Sequence, residues 1–313
     1  MTTWAEPRKA VFLRDHLTGE TTQIGLYDDT LPGPENKMAP CPQGFESLGI
    51  PALKKCLEQE QNWLLIDEIG YLESGCPEYL NAIEKAMEKK HVAAAVRKQN
   101  LPFLQRLCRR DDVFLVDLDA PFGQSGCVIM ASGLGKRFGG NKLMADFHGQ
   151  PLIGRVLDAT EGIFTQRVVV TRHEEIVQLC ASRNIPCTLH ALPLRSDTVR
   201  LGLQALKGIE SCMFCPGDQP LLRRETIASL ALLAARDPEH FFRPLCDNIP
   251  GAPVIFPAWA LPELENLPAG QGGNAIIKKY PHHLRTLSIS DPHELKDIDS
   301  PEDLAYLLRY SKV

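Results

Sequence analysis

The chain has 313 residues, is 44% hydrophobic and 23% charged, and carries a formal net charge of -5. Its length accommodates two domains with separate cores, and its charge gives bulk electrostatics no hold on nucleic acid. No apolar run is long enough to cross a bilayer and no signal-like N-terminus precedes the first charges. A cytoplasmic protein with no membrane partner is therefore expected, its cysteines reduced.

The charge is uneven: residues 1–124 carry 14 Lys and Arg against 19 Asp and Glu, and the remainder 20 against 20. In the acidic part, residues 8–28 predict a β-hairpin, with Ala10–Leu13 and Thr22–Tyr27 as strands and Thr18-Gly19-Glu20 as the turn. Residues 30–44 hold four prolines and two glycines and predict a loop. A helix over Pro51–Glu60 leads into an apolar strand, Trp63–Gly70, that carries Asp67 and Glu68 near its end. A helix (Pro77–Lys89), a strand (Val92–Val96), a helix (Pro102–Arg109) and a strand (Val113–Val116) follow. This alternation predicts a smaller N-terminal α/β domain with mainly parallel strands over residues 1–120. A strand ending in paired carboxylates is where P-loop hydrolases order magnesium beside a catalytic residue. Leu64–Glu73 and its flanks resemble the C-terminal half of a small P-loop nucleoside-triphosphatase family. The phosphate loop of that family, Gly-Lys followed by Ser or Thr, occurs nowhere in the sequence. Hydrolysis is accordingly not expected here, and the domain reads as a scaffold or docking module.

Residues 121–126 form the expected linker and 127–313 the second domain. Strands are predicted over Cys127–Ala131, Arg167–Thr171, Cys187–His190 and Ser211–Cys215. Helices are predicted over Pro151–Phe164, Glu174–Ser182 and Thr198–Lys207. Successive βα units predict a doubly wound, mainly parallel sheet with ligands at the strand C-termini. Directly after the first strand come Gly133, Gly135, Gly139 and Gly140, with Lys136 and Arg137 among them and Lys142 just beyond. Glycine lets backbone N–H groups approach an anion, and the cations neutralise it. Two commoner glycine loops are excluded. Gly135-Lys136 is followed by Arg137, and Phe138 stands where the third glycine of G-x-G-x-x-G belongs. The loop is thus expected to hold a nucleoside triphosphate in another way. Asp218 leaves the end of an apolar strand in a Pro-Gly-Asp-Gln-Pro turn, a hard carboxylate suited to Mg²⁺. Cys212 and Cys215 have C-x-x-C spacing but fall inside a strand, which predicts core packing. Ser196-Asp197-Thr198 and Ser300-Pro301 predict helix caps.

The loop resembles the opening motif of the nucleotidyltransferases that activate the molybdenum cofactor, close to A-A-G-x-x-x-R-x-G-x-x-K. Ala131, Gly133, Arg137, Gly139 and Lys142 match it, with Ser132 for the second Ala. Asp218 is similar to the Asp of their G-D-x-P motif, Gly251–Phe256 to a segment associated with the second substrate, and Asp297–Leu304 to D-I-D-T-P-E-D-L. The resemblance spans Cys127 to about Leu308 and implies a Rossmann-like nucleotidyltransferase fold. It further implies that Ala131, Ser132, Gly133, Gly135, Arg137, Lys142 and Ser196 bind nucleotide, and that Arg137, Lys142 and Asp218 are catalytic. Mg²⁺ would rest on Asp218 and on Asp299, with Asp297 the alternative to the latter. The implied donor is CTP and the implied acceptor a molybdopterin-type cofactor, with a molybdenum-hydroxylase apoenzyme as a further partner. Two departures, Leu194 for Gly and Gln271 for Asp, leave other readings open. These are GTP or a sugar phosphate on the same fold, or a non-catalytic chaperone that binds the cofactor.

Overall fold

The computed structural model describes residues 2–5, 9–32 and 37–311, which fall into two units, 1–115 and 116–313. In the first, β1 (Thr2–Ala5), β2 (Ala10–Arg14), β3 (Thr21–Tyr27) and β4 (Met38–Pro40) form an antiparallel sheet in that order. The predicted hairpin is β2–β3. The expected loop over 30–44 instead contains β4 and a short helical turn, Pro42–Gly44, while its residues 33–36 lie outside the described residues. Ile24, Phe45 and Ile83 are fully buried at the centre of this unit. Helices Pro77–Lys89 and Pro102–Cys108 start on proline, where its missing N–H costs nothing, whereas helix Ile50–Glu58 continues directly from the helical turns Pro42–Gly44 and Phe45–Gly49. Among the described residues of this unit only β5 (Trp63–Ile69) and β6 (His91–Val96) are parallel, as a two-stranded sheet. The mainly parallel expectation therefore does not hold for this unit. The strand expected over Val113–Val116 is irregular. It has no ladder to join, and Phe114 and Leu115 remain half exposed.

The second unit is built on β7 (Ser125–Ala131), β8 (Gln166–Thr171), β9 (Cys187–Leu189), β10 (Ser211–Pro216), β11 (Phe241–Cys246), β12 (Ile249–Pro250), β13 (Val254–Pro257) and β14 (Leu284–Ser288). The order is β12-β11-β13-β10-β7-β8-β9, with β14 beside β11. β10, β7, β8 and β9 run parallel to one another, whereas β13 runs against both β10 and β11. β7 begins at Ser125, two residues before its predicted start, by pairing with Ser211. Its side chains alternate between two cores. Cys127 and Ile129 pack with Ile153, Val156 and Ile176 on one face, and Val128 with Val199, Leu203 and Phe214 on the other. A strand buried on both faces reads as a continuous apolar run, which is why Cys127–Ala131 stood out. Helix Leu152–Ala159 stops five residues short of the predicted Phe164. The Thr160 hydroxyl donates to the carbonyls of Val156 and Leu157, and Gly162 at φ 65° turns the chain away.

Candidate active site

At the C-terminal edge of β7, Ala131, Ser132 and Gly133 lead into the glycine loop. Gly135 makes the loop possible. It sits at φ 57°, its carbonyl accepts from the N–H groups of Phe138 and Gly139 at 2.9 Å, and a Cβ there would lie 1.9 Å from Gly140 O. Only glycine fits that position. A Cβ at Gly133, Gly139 or Gly140 would meet nothing within 4 Å. At these three the backbone is unobstructed on the side a Cβ would occupy.

The two principal cations are treated differently. The Arg137 side chain is 74% exposed, while that of Lys142 is 8% exposed. Lys142 opens a short 3-10 turn, Lys142–Met144, that brings it back to the sheet edge. There its Nζ donates to Asp218 Oδ2 at 2.6 Å and to Asp299 Oδ1 at 2.8 Å. Arg137 donates to the other oxygen, Asp299 Oδ2, at 2.6 Å. Burial alone would pull the lysine down, but its bonds to Asp218 and Asp299 outweigh this and hold it above the usual ammonium range. The Lys142 hydrogen bond likewise holds Asp299 below the usual carboxylate range, with the charges of Lys142 and Arg137 adding to it.

Backbone contacts place the two carboxylates. The turn after β10 is pinned to β7 by Gly217 N–H donating to Met130 O at 3.0 Å. Asp218 O accepts from Ile298 N–H at 3.0 Å, which ties the downstream Asp297-Ile298-Asp299 segment to the same turn. Ser300 caps helix Pro301–Tyr310 as expected, accepting from Asp303 N–H, and Asp303 Oδ2 accepts from the N–H groups of Asp299 and Ser300. Asp297 turns the other way and accepts from Gln219 Nε2 at 2.8 Å. Burial, then the charges of Asp218 and Asp299, push its carboxyl up. Asp299, not Asp297, therefore shares Lys142 with Asp218.

The remaining expected residues lie around this centre with different partners. Ala131 is fully buried and its carbonyl accepts from Thr171 Oγ1 at 3.0 Å. Ser196 does not cap its helix. The helix runs Arg195–Gln204 from Leu194, and Asp197 Oδ2 accepts from Leu194 N–H at 3.1 Å. Ser196, inside the first turn, accepts instead from Gly270 N–H at 3.2 Å. It borders a cavity of about 360 Å³ with Leu194, Asp197, Arg200, Asn266 and Leu267. Cys212 and Cys215 are buried in opposite cores, as expected of core cysteines; burial raises the Cys212 thiol, while the neighbouring Cys127 thiol, then burial, raises that of Cys215. Sequence reasoning passed over Arg172, His173 and His190. All three stand directly after apolar strands at the ligand edge, which was the available signal.

Two carboxylates meeting at one ammonium give the loop a point where a divalent cation could replace the lysine. Mg²⁺ commonly takes one or two protein carboxylates with phosphate oxygens and water, so Asp218 and Asp299 fit it. Among the described residues no three metal-ligating side chains converge as a closed cluster. Mg²⁺ held by one or two carboxylates commonly fills its remaining positions with phosphate oxygens and water. None of the helices among the described residues is long and apolar enough to cross a membrane.

Residues 127–284 match the family model of the MobA-like NTP transferase domain, and residues 18–121 the model described as NTPase. A nucleoside-triphosphatase of a Thermotoga species is 27% identical over 123 residues, 34% of this chain and 70% of that protein. A protein named probable molybdenum cofactor guanylyltransferase, of Aquifex aeolicus, is 29% identical over 103 residues, 32% of this chain and 49% of that protein. A crystal structure from Mycobacterium tuberculosis H37Rv shares the fold with a TM-score of 0.55 and 19% identity, covering 59% of this chain and 98% of that one.

Proposed function

We propose that this chain, which belongs to the family of MobA-like NTP transferase domains, transfers CMP from CTP to the terminal phosphate of a molybdopterin-type cofactor and releases pyrophosphate. Nucleotidyl transfer is its chemistry; the donor base and the acceptor are our reading. The observation that carries the reading is Lys142 held between Asp218 and Asp299, directly behind a glycine loop. The named activity of the Aquifex protein supports the acceptor and makes GTP the second candidate donor.

In this reading the loop backbone at Gly133, Gly139 and Gly140 closes on the triphosphate, with Gly135 fixing its shape. Arg137 leaves Asp299 for the β- and γ-phosphates, its planar fork spanning two oxygens. Lys142 releases Asp218 and turns its charge toward the α-phosphate, where negative charge builds as the acceptor oxygen attacks in line. Asp218 and Asp299 would then hold Mg²⁺. When bound, the ion would neutralise the triphosphate and favour departure of pyrophosphate. No covalent protein intermediate is required.

The test is pyrophosphate release by purified protein with each NTP, Mg²⁺ and a molybdopterin-type acceptor. Fastest release with CTP supports the proposal, and fastest release with GTP replaces the donor. Tight cofactor binding with no pyrophosphate from any NTP would favour the chaperone reading.

A further inference from the structure

The three residues entering the glycine loop are each held from the neighbouring strands. Thr171 Oγ1 donates to Ala131 O at 3.0 Å, and His173 Nε2 lies 2.9 Å from Gly133 O. A carbonyl only accepts, so that nitrogen carries a proton. Between them, Ser132 Oγ lies 3.1 Å from Val170 O and 2.8 Å from His190 Nε2. The hydroxyl proton must go to the Val170 carbonyl, so His190 Nε2 must be the donor to Ser132. On the far side of the ring, Nδ1 faces Leu192 N–H at 3.2 Å, which only donates. His190 is thereby fixed as the neutral Nε2–H tautomer by its partners. Its backbone N–H donates to Thr171 O at 3.0 Å, and the Arg172 guanidinium donates to Leu192 O.

We propose that His190 is a positioning residue for nucleotide binding: one neutral imidazole joins the entrance of the glycine loop, through Ser132, to the 190–194 segment, through Leu192, so both present a fixed edge to the nucleotide. This rests on the loop being the nucleotide site. The pairing belongs to this chain's own sequence, because Ser132 stands where the resembling family has alanine, which could not accept from His190. It leaves Ser132 one free lone pair and no free proton, so toward a ligand it is an acceptor only. Protonation breaks the link, since an imidazolium would turn an N–H toward Leu192 N–H. The charged groups facing the ring are Arg172, after β8, and Asp197, on helix Arg195–Gln204. Burial and then Arg172 disfavour the imidazolium, while Asp197 favours it, and the net effect holds His190 below the usual imidazole range.

The experiment measures CTP·Mg²⁺ binding by calorimetry, with steady-state kinetics alongside, for Ser132→Ala, His190→Ala, the double variant and His190→Gln. Each single alanine is expected to weaken binding and raise KM about five- to tenfold, the scale of one or two lost hydrogen bonds, with kcat within about twofold. The double variant is expected to be no worse than the worse single variant, since the residues act as one unit. Wild-type affinity is expected to decline on the acid side as His190 takes up a proton, and His190→Gln, which keeps a donor for Ser132 and does not titrate, should recover most of the affinity without that decline. Additive losses, an effect on kcat with KM unchanged, or a persisting acid decline in His190→Gln would overturn the proposal. If the wild type binds CTP yet releases no pyrophosphate, the transfer reading fails while the binding data still decide this one. If the wild type binds no nucleotide, both fall.

Discussion

Lys142 and Asp218 lie 76 positions apart in sequence and meet at 2.6 Å, with the lysine almost wholly enclosed. A buried ammonium needs a partner, and here it has two. Asp218→Asn should therefore keep the fold, because Asp299 still holds Lys142, while losing the second carboxylate of the ion site. Transfer is expected to fall ~10²–10³-fold, the range for removal of one electrostatic stabiliser. Near wild-type pyrophosphate release in Asp218→Asn would remove that residue from the site.

Arg137 and Lys142 should separate kinetically. Arg137→Lys loses the planar fork of an exposed side chain and should chiefly raise KM for the nucleotide. Lys142→Ala should chiefly depress kcat, because its charge acts where the transition state builds charge. Calorimetric nucleotide binding checks that KM follows affinity. Equal weakening of binding by both, with kcat spared, would reduce the loop to an anion cradle.

Glycines 133 and 135 should also differ. Gly135→Ala forces φ 57° on an alanine and places its Cβ against the Gly140 carbonyl. It should lose at least ~1–2 kcal/mol from backbone strain alone, visible as a lower Tm without ligand. Gly133→Ala meets nothing, so Tm should hold while nucleotide affinity falls. Unchanged affinity in Gly133→Ala would mean that the backbone there does not approach the phosphates.

In the first unit, Glu73 is buried and its carboxylate accepts from Gly70 N–H at 2.8 Å. Burial pushes it up to about 7, against the hydrogen bond that lowers it. An acid raised on folding binds more protons folded than unfolded between its ordinary value, 4.5, and about 7. Its contribution to stability is thus full below that window and declines as pH rises through it. Glu73→Gln keeps an acceptor for Gly70 and removes the charge, so it should gain stability at pH ~8 relative to wild type and little at pH ~4. Denaturant titrations at both values would show this, and a pH-independent difference would rule out Glu73 as the titrating group.

Much of the site could be read in the sequence because its parts are local. A strand buried on both faces announces itself as an apolar run, and the glycines and cations after it are contiguous. Asp218 follows the same rule at the end of β10. What could not be read depends on contacts made across the fold. Asp297 and Asp299 are equivalent in sequence, and only the turn of the chain gives Asp299 to Lys142 and Asp297 to Gln219. Ser196 looked like a cap because Ser-Asp-Thr favours one, yet the helix starts earlier and Gly270 takes its hydroxyl. Val113–Val116 has strand propensity, but propensity without a neighbouring strand forms no ladder. The place of His190 at a strand end could be read, but its role could not, because that depends on Ser132, 58 positions away.

Two strands of the large sheet, β12 and β13, run backwards. Because β13 opposes β10, with Val254 beside Phe214, its beginning lies where its neighbours end. The chain reaches that rim through the short β11–β12 hairpin and Gly251–Pro253, while Ser132, Asp218 and His190 reach it from strand exits. Insertions or exchanges in residues 247–253 would alter the rim without shifting the register of β7, β8 or β10. If the acceptor is gripped there, descendants of this chain could change the molecule they modify while keeping the nucleotide they spend, and a graft of that hairpin between relatives would carry the preference with it.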